Sequence, residues 1–344
     1  MVGPIELARR TRGLMTARLE SLPILALTVH SACNCRCVMC DIWKANAAQR
    51  DISAADLARH TDAIQRLHVQ RVMLTGGEPL LHRNLWALCA QLNSLQIRIT
   101  LVTTGLLIAQ HAADIAASID TVVISLDGNA EVHDAVRRVK SGFQRIANGV
   151  RALRAQHPAP RVIARSVVQR ANASSLAETI EAAQQLGFDE LSFLAADVSS
   201  RAFNRPEPWL PERAAEIAVG RDGLAALRAS IERAVATHSA LFANGFIAGG
   251  RASLDRIDQY YRALAGESGF PLVRCNAPWI SAVLEPDGTV RPCFFHDAYS
   301  TGDLIDVAVN SPAAVAFRRG LDVSTDATCQ RCVCSLNLPV TQSV

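Results

Sequence analysis

The stretch "ILALTVHSACNCRCVMC" (24–40) joins an apolar run to four closely spaced cysteines. Residues 24–30 are mostly aliphatic, which predicts a buried strand. The cysteines follow at once, as Cys33, Cys35, Cys37 and Cys40. Because reactive groups in parallel α/β sheets collect beyond the carboxyl ends of the strands, this order predicts a thiol-rich loop at the functional edge of a sheet.

Five further apolar runs repeat the strand pattern, and helical patterns separate them. The other predicted strands are 71–75, 97–103, 121–126, 161–168 and 190–195. The predicted helices are 53–67, 83–93, 107–117, 142–155 and one that begins at Ser175 and ends before Gly187. Six strand–helix units predict a parallel sheet with strands buried on both faces. They are too few for a closed eightfold barrel, so we expect a partial (β/α)6 TIM-like barrel.

Two serines are predicted to cap helices, each with an acidic residue three positions later. The pairs are Ser53 with Asp56 and Ser175 with Glu178.

The sequence pattern changes at Cys275, where a predicted hairpin replaces the helical segments. "WISAVLEPDGTVRPCFF" (279–295) predicts a hairpin with Asp287 and Gly288 at its turn. Residues 275–344 are too few to form a hydrophobic core that is stable alone, so a bound metal is expected to stabilise this region. The predicted division is a helical extension over 1–23, a barrel core over 24–240, a helical linker over 241–274 and a small α+β domain over 275–344.

Composition narrows the function classes. Ten cysteines in 344 residues, nine of them towards the two ends and without an export signal, favour metal ligation in a reducing cytoplasm. A net charge of +3 and 5% aromatic residues give no support for nucleic-acid binding. The longest apolar run is too short to span a bilayer, so no membrane segment is expected.

The informative spacing in the first cysteine group omits Cys35. Cys33, Cys37 and Cys40 form C-x3-C-x2-C, and three thiolates on a tight loop can hold three corners of a cubic [4Fe–4S] cluster. The fourth iron is then open for a ligand, whereas a closed shell would be structural. The alternative is structural zinc, with Cys35 as a fourth ligand, or a disulfide; otherwise Cys35 is a small buried or free thiol.

Three later strands also end in distinctive residues. They are followed or ended by "GGEP" (76–79), "TTG" (103–105) and "SLDG" (125–128). Paired glycines let the backbone approach a ligand closely, and Glu78 can accept a hydrogen bond from an ammonium group. The hydroxyls of Thr103, Thr104 and Ser125 and the carboxylate of Asp127 can bind ribose or an amino-acid moiety.

Together these motifs resemble the radical S-adenosylmethionine (SAM) superfamily over about residues 24–195. Met39 fits the hydrophobic position before the third cysteine, and "SLDGNAEVHDAVRR" (125–138) extends the likeness to members with extra clusters. The resemblance implies reductive cleavage of SAM at a [4Fe–4S] cluster, which gives a 5′-deoxyadenosyl radical that abstracts hydrogen from a substrate.

The resemblance also implies site residues. Gly76, Gly77 and Glu78 would line the site of the SAM amino group. Ser125 and Asp127 would contact ribose or carboxylate, and Arg137 would meet the SAM carboxylate. The predicted cofactor-binding set is Met39, Gly76, Gly77, Glu78, Pro79, Thr104, Ser125, Asp127, Arg137 and Ser166.

The C-terminal cysteines resemble the SPASM/twitch family of auxiliary-cluster domains, which opens with C-x(9–15)-G-x4-C. The predicted ligands of one auxiliary [4Fe–4S] cluster are Cys275, Cys293, Cys329 and Cys332, with Cys334 as an alternative to the last. A full SPASM domain would continue with further cysteines, so we expect the shorter twitch form. The alternative is a zinc ribbon.

The leading functional hypothesis is a radical SAM oxidoreductase that acts on a small molecule, with the auxiliary cluster accepting an electron. The alternatives are a peptide maturase, a redox-neutral sugar epimerase or rearrangement enzyme, and a zinc-binding regulatory module. The expected partners are a small-molecule or peptide substrate and an electron donor of the flavodoxin or ferredoxin type.

Other polar residues have open roles. His30 is interpreted as a strand cap and His82 as a solvated loop or helix-start residue. Asp197, Arg201, Asn204 and Arg205 either face the substrate or belong to a surface loop. His296 and Asp297 follow Cys293 within reach of the active site, but they are not predicted to be catalytic.

Overall fold

The computed structural model describes residues 2–344 and contains one nine-stranded sheet. The strands are β1 Ile24–His30, β2 Arg71–Gly76, β3 Arg98–Thr103, β4 Thr121–Ser125, β5 Arg161–Val168, β6 Glu190–Ala195, β7 Ser281–Leu284, β8 Thr289–Arg291 and β9 Ser300–Thr301. Their order across the sheet is β6-β5-β4-β3-β2-β1-β7-β8-β9. Neighbours from β1 to β6 are all parallel, and the sheet does not close, which confirms the predicted partial barrel.

Helices alternate with the parallel strands and then extend the chain beyond them. The first group is α1 Pro4–Thr16, α2 Ala54–Arg59, α3 Thr61–Arg66, α4 Leu85–Ser94, α5 Ala112–Ser118, α6 Ala130–Arg137, α7 Gly142–Arg154 and α8 Leu176–Gln185. The second is α9 Pro211–Ile217, α10 Arg221–Thr237, α11 Ser239–Ala243, α12 Gly250–Leu264, α13 Ala277–Ile280, α14 Ile305–Val309, α15 Pro312–Gly320 and α16 Ala327–Gln330. Short 3-10 helices cover Ile42–Ala48, Pro79–Leu81 and Ile108–Gln110.

The predicted C-terminal hairpin forms, but it continues the main sheet. β8 lies antiparallel to β7, and Gly288 adopts a positive φ of 80° at the turn between them. β7 is parallel to β1, with Ile24 opposite Ser281 and Leu27 opposite Leu284. Four-residue β7 is buried throughout because it lies inside the sheet.

The strands are not all buried on both faces, contrary to expectation. In β5, Val162 and Ala164 are buried, whereas Ile163 and Arg165 are half-buried. β2 and β6 alternate in the same way. Since side chains alternate along a strand, one face of the sheet packs under helices and the other is partly open.

Some helix predictions need correction. The predicted helix 53–67 breaks at His60, whose buried Nδ1 accepts a hydrogen bond from the Ile305 backbone N–H. Ser53 and Asp56 form the predicted capping box. Ser175 does not cap α8; its hydroxyl donates to the Asn172 carbonyl instead. The sequence analysis also missed α6.

The helix α1 lies in the predicted N-terminal helical extension and is bonded to the C-terminal segment. Arg10 is buried, donating to Glu6 on its own helix and to the Gln342 carbonyl. Across residues 2–344, every helix is either too short or too polar to cross a membrane.

Candidate active site

The cysteine loop lies at the carboxyl end of β1 and is anchored to the end of α6. The Arg36 N–H donates to the Arg137 carbonyl over 3.3 Å, and the Val38 N–H donates to the Val136 carbonyl over 3.0 Å. α6 therefore holds the loop through the N–H groups that lie between the cysteines.

Backbone N–H groups also point at two of the sulfurs. The Cys35 N–H donates to Cys33 Sγ and the Ile42 N–H donates to Cys40 Sγ, both over 3.5 Å. Asn46 brackets Cys33, bonding its N–H and its carbonyl. N–H···S bonds of this kind stabilise thiolates and tune iron–sulfur clusters.

Cys35 differs from its neighbours. It is 2% exposed, and its thiol is hydrogen-bonded to the sulfurs of Cys33 and Cys37; these bonds and burial raise the pKa of Cys35 far above its usual range. The same hydrogen bond from Cys35, with the charge of Arg137, lowers the pKa of Cys37 to about 6 against the effect of burial. Cys37 is thus readily a thiolate while Cys35 remains a donor.

Arg137 and Asp127 form a buried ion pair beneath the loop. Arg137 Nε lies 2.6 Å from Asp127 Oδ2, and Arg137 Nη1 lies 3.6 Å from Cys37 Sγ. Burial acts to lower the pKa of Arg137, but the Asp127 carboxylate holds it above its usual range. The other Asp127 oxygen accepts from the Val167 N–H over 2.9 Å. With its carboxylate fully buried and both oxygens bonded, Asp127 is placed to orient Arg137, and the predicted ribose contact is not supported.

Glu78 is likewise committed within the protein. Its Oε1 accepts from the Leu80 N–H and the Thr103 hydroxyl, and its Oε2 accepts from the Thr104 N–H and hydroxyl. The residue is 0% exposed. Glu78 thus ties the end of β2 to the end of β3. Its contact with the SAM amino group stays a prediction.

Thr104 carries this network on to the cysteine loop. Its hydroxyl lies 3.0 Å from Asn34 Oδ1 as well as 2.6 Å from Glu78 Oε2. Thr104 is thus next to the loop, as expected of a residue in the predicted cofactor-binding set.

The paired glycines have a structural cause. Gly76 has a φ of 132°, and a Cβ on Gly77 would lie 2.1 Å from the Ala32 carbonyl oxygen. The Gly77 N–H donates to the His30 carbonyl over 2.7 Å. Only glycines allow β2 to lie this close to the start of the cysteine loop. Pro79 is buried and begins the 3-10 helix that follows.

Strand alternation separates two predicted contacts. Ser166 lies on the same face of β5 as Ala164, whose register partner on β4 is Ile124. Ile124 faces α7, because a Cβ on Gly105 would contact both Ile124 and Ile146 of that helix. Ser166 therefore lies on the helix-packed face of the sheet. The predicted SAM contact of Ser166 is therefore not supported. Ser125 and its register partner Arg165 lie on the other, partly open face.

Sequence reasoning missed Arg165 and Gln169. The alternation of β5 pointed to Arg165, because it places this cation beside Ser125. Gln169, directly after β5, is 0% exposed, and neither of its side-chain amide atoms has a hydrogen-bond partner within residues 2–344. No sequence signal marked it, since burial of a polar residue depends on tertiary packing.

The two histidines near the loop are buried. His82 Nε2 lies 2.9 Å from the Ile52 carbonyl oxygen, and its Nδ1 accepts from the Asn84 N–H. The prediction of a solvated His82 is wrong. His30 is buried and pairs through Nδ1 with Asp51, in keeping with a role at the strand end.

The C-terminal cysteines come together from three segments. Burial, together with the charges of Cys275 and Cys334, raises the pKa of Cys293 to about 11, so these residues are neighbours. Asn276 bonds to the backbone of Leu336 and Leu338 and thereby brings the tail beside Cys275.

Cys332 is better placed than Cys334 to be a ligand. Burial raises the pKa of Cys332 to about 12, while an N–H from Cys334 favours its thiolate. The Phe295 N–H makes the equivalent bond to Cys293 Sγ over 3.5 Å. Cys334 itself is exposed. The arrangement supports the predicted order of preference between the two.

His296 joins this group. Its Nε2 lies 3.4 Å from Cys329 Sγ and 3.7 Å from Asp326 Oδ1, so a histidine, a carboxylate and a thiol face one another. Burial lowers the pKa of His296, and its ring packs against Phe317. The expectation that His296 lies near a reactive centre agrees with this position.

Both cysteine regions match known families. A model of the radical SAM superfamily matches residues 27–183, and a model of the SPASM iron–sulfur cluster-binding domain matches residues 275–333. Residues 27–183 are thus a radical SAM domain, and residues 275–333 are a SPASM domain. The cofactors of the protein are accordingly SAM, a SAM-binding [4Fe–4S] cluster and an auxiliary [4Fe–4S] cluster.

The curated relatives match over part of their length. A probable GTP 3',8-cyclase of Methanopyrus kandleri is 36% identical over 102 residues, 29% of this chain and 33% of that protein. The AdoMet-dependent heme synthase of Methanosarcina barkeri is 27% identical over 178 residues, 50% of each chain. Mycofactocin maturase MftC of Mycolicibacterium smegmatis is 37% identical over 110 residues, 31% of this chain and 28% of that protein. The chain thus spans half or less of these relatives.

Solved structures share the fold. Streptococcus suis SuiB bound to S-adenosylmethionine superposes with a TM-score of 0.62 at 15% identity, covering 95% of this chain and 75% of the other. The anSMEcpe structure with bound AdoMet gives a TM-score of 0.64 at 17% identity, covering 90% and 86%.

The residues present fit the radical SAM cofactors. Three cysteines at C-x3-C-x2-C spacing supply thiolate donors at the carboxyl edge of the sheet, beside the Arg137 guanidinium. The unpartnered amide of Gln169 lies at the same edge, after β5, and can satisfy polar groups of a bound molecule. We therefore assign Cys33, Cys37 and Cys40 as the proposed holders of the SAM-binding cluster.

A cavity of about 300 Å³ separates the sheet edge from the auxiliary group. Asp197, Ser200 and Arg201 line the wall that follows β6. His296, Asp297, Thr328 and Arg331 line the other wall, next to Cys293, Cys329 and Cys332. The cavity is therefore bounded by the loop after β6 on one side and by the segments that carry the auxiliary cysteines on the other.

The four polar residues of the loop after β6 separate into two groups. Asp197 and Arg205 form a fully buried ion pair, 2.8 Å between Nη1 and Oδ2. Arg201 is exposed and pairs with Glu207, and Asn204 is also exposed. The loop is thus neither a plain surface loop nor wholly a substrate wall.

Proposed function

We propose that the protein is a radical SAM oxidoreductase that removes two hydrogens from a small polar substrate held in the cavity between the sheet edge and the auxiliary cysteines. The observation that carries the proposal is the cavity that lies between the loop after β6 and the segments that carry the auxiliary cysteines. One of its walls follows β6 and the other contains His296, which contacts Cys329.

Bound SAM and a reduced cluster would supply a 5′-deoxyadenosyl radical, which would take one hydrogen atom from a carbon of the substrate. Arg137 keeps its positive charge beside Cys37, because the fully buried carboxylate of Asp127 both orients the guanidinium and holds its pKa above the usual range.

The substrate radical must then lose one electron and one proton to become a closed-shell product. For a carbon that bears a hydroxyl or amino group, loss of both gives a carbonyl or an imine. Cys275, Cys293, Cys329 and Cys332 would hold the group that takes up the electron. Solvent can take up the proton through the open side of the cavity.

The cavity walls indicate a substrate that carries both polar and charged groups. Arg331 and Arg201 offer cations, and Asp297 offers an exposed carboxylate. A small amino acid, aminocyclitol or amino sugar would match both signs of charge.

A second candidate is a peptide maturase. Two structures that share the fold contain peptides, SuiB bound to precursor peptide SuiA and anSMEcpe with Cp18Cys peptide. A peptide side chain could enter the same cavity. An electron donor of the flavodoxin or ferredoxin type would reduce the SAM-binding cluster in either case.

The test uses anaerobically reconstituted protein with SAM and dithionite. Free amino acids, aminocyclitols, amino sugars and short peptides are added separately, and 5′-deoxyadenosine is quantified with the mass of each added compound. The proposal expects a small polar compound to stimulate SAM cleavage and to become two hydrogens lighter, one per 5′-deoxyadenosine formed. Product of unchanged mass would contradict the oxidation, and a response confined to peptides would favour the second candidate.

A further inference from the structure

The carbonyl groups of the cysteine loop are bonded by side chains of the segment that follows β6. Arg213 donates to the Val38 carbonyl, and Arg205 Nη2 lies 3.5 Å from the Met39 carbonyl oxygen. Val38 and Met39 lie between the second and third cysteines of the C-x3-C-x2-C motif. The carbonyl groups at the end of α6 accept hydrogen bonds from N–H groups of the loop, so α6 and this segment bond different backbone groups of the loop.

The same segment grips the residue after Cys40. Trp209 Nε1 donates to Asp41 Oδ2 over 2.9 Å, and Asn204 Nδ2 donates to the Asp41 carbonyl over 3.3 Å. Two side chains of the segment thus bond Asp41, one at its carboxylate and one at its backbone carbonyl.

Trp209 unites these contacts. The guanidinium carbons of Arg205 and Arg213 lie 4.0 and 4.9 Å from the centre of its ring. Cation–π attraction of this kind favours Trp above the other aromatic residues. The indole therefore sets the position of both arginines and bonds Asp41 directly; we call Arg205, Trp209 and Arg213 the clamp.

The clamp is itself anchored in the protein interior. Arg205 is fully buried, its Nη1 donates to Asp197 Oδ2 and its Nη2 to the Asp197 carbonyl over 2.9 Å. The buried Arg205 would carry an uncompensated charge without Asp197, so the pair has one arrangement. Asp197 also lines the cavity, which places the anchor of the clamp in the wall of the cavity.

We propose that Arg205, Trp209 and Arg213 are positioning residues for SAM binding. They hold the carbonyl side of the cysteine loop and so fix the spacing of the three sulfurs. Without these contacts the carbonyl groups of Val38 and Met39 would be ordered only when the cluster binds, at a cost in conformational entropy. Residues that orient metal ligands in this way commonly change metal affinity or activity about 10–100-fold when replaced.

The test measures SAM binding to the reduced holoenzyme without substrate, so its result does not depend on the proposed oxidation. SAM is titrated while the electron paramagnetic resonance spectrum of the SAM-binding cluster is recorded, and iron per chain is determined. Arg205→Met should weaken SAM binding about 10–100-fold or lower iron occupancy of that cluster. Arg205→Lys should restore only part of the SAM binding that Arg205→Met loses, because a lysine cannot donate in two fixed directions.

Trp209→Phe is the milder variant, since it keeps an aromatic face and removes the bond to Asp41. It should weaken SAM binding and raise hydrogen exchange in the peptide covering 33–41. If Arg205→Met does not fold, Trp209→Phe decides the matter. The matched control is Arg318→Met, which removes another buried arginine bonded to carbonyls, at Ala17 and Val309, and should leave SAM binding unchanged. Unchanged SAM affinity, spectrum and exchange in Trp209→Phe would overturn the proposal, as would an equal loss in Arg318→Met.

Discussion

The two cysteine groups of this protein are assembled in opposite ways. The N-terminal group occupies eight consecutive positions on one loop, and backbone bonds from α6 hold that loop directly. The C-terminal group collects its sulfurs from Cys275, from Cys293 and from the segment 329–334. The first is a local structure that the rest of the protein supports, whereas the second exists only when three distant segments have met.

Their electrostatic surroundings differ as well. A buried arginine lies 3.6 Å from Cys37 Sγ, while a histidine lies 3.4 Å from Cys329 Sγ. Three proposed ligands in the first group leave one iron open to SAM. The four in the second would close the shell, as suits an electron acceptor. The comparison therefore separates the proposed SAM-binding site from the proposed site of electron uptake.

The largest expected effect tests the count of three in the N-terminal group. Cys37→Ala should reduce SAM cleavage to the uncatalysed background, because the cluster loses one of its three holders. Cys35→Ala should leave SAM cleavage close to wild type, since Cys35 is predicted to be a bystander. Both variants are assayed for 5′-deoxyadenosine and for iron. Loss of the cluster in Cys35→Ala alone would show that four cysteines, not three, form the first group.

The next test addresses the ligand count of the C-terminal group. Cys332→Ala should lower the iron content from roughly eight to roughly four per chain while SAM cleavage persists. Cys334→Ala should keep all the iron, because Cys334 is exposed and Cys332 receives the N–H bond. The iron content and the formation of 5′-deoxyadenosine are measured on the same samples. The reverse pattern would make Cys334 the fourth ligand.

A third test concerns the buried charge that only the N-terminal group has. Asp127→Asn should destabilise the protein by about 3–5 kcal/mol, since Arg137 would remain buried without its partner. The control is Glu178→Gln, which breaks an exposed pair with Arg233 and should cost less than about 1 kcal/mol. Urea unfolding measures both. Equal costs would mean that the pair beneath Cys37 is no more important than a surface pair.

The smallest expected effect is a pH dependence beneath the N-terminal group. Burial lowers the pKa of His133 from 6.5 to about 4, and its Nδ1 accepts from the Asp127 N–H. The folded state therefore favours the neutral ring. Stability is complete above pH 6.5 and falls as the pH drops towards 4, by about 1.4 kcal/mol per pH unit for this one group.

Urea unfolding at pH 7 and pH 5 measures this dependence. Wild type should lose about 2 kcal/mol more than His133→Asn, which retains an acceptor but does not titrate. His157→Asn, at an exposed position, should behave as wild type does. If the free energy of unfolding of His133→Asn depended on pH as that of wild type does, His133 would not be the source of the dependence.

Much of the fold was predictable because its signals are local. β1, β5 and β6 have the predicted limits, and the hairpin turn at Gly288 and the capping box at Ser53 follow from short-range chemistry. The same holds for the cysteine loop, whose spacing was sufficient to indicate the family that the comparisons found.

The features that the sequence did not predict depend on tertiary structure. The hydrogen bonds that occupy Glu78 and Asp127 come from other strands. Ser166 was misplaced because β5 alternates between a helix-packed and an open face. The parallel pairing of β7 with β1 joins residues more than 250 positions apart, and no local pattern announces such a pairing.

That pairing also sets an order on biosynthesis. β1 lies between β2 and β7, so during translation it has a free hydrogen-bonding edge until residues 281–284 leave the ribosome. Almost the whole chain must be made before the strand that carries the cysteine loop is enclosed on both sides. An unpaired strand edge invites association with other chains. The interval between synthesis of β1 and of β7 is therefore the period in which the nascent protein is most exposed to aggregation.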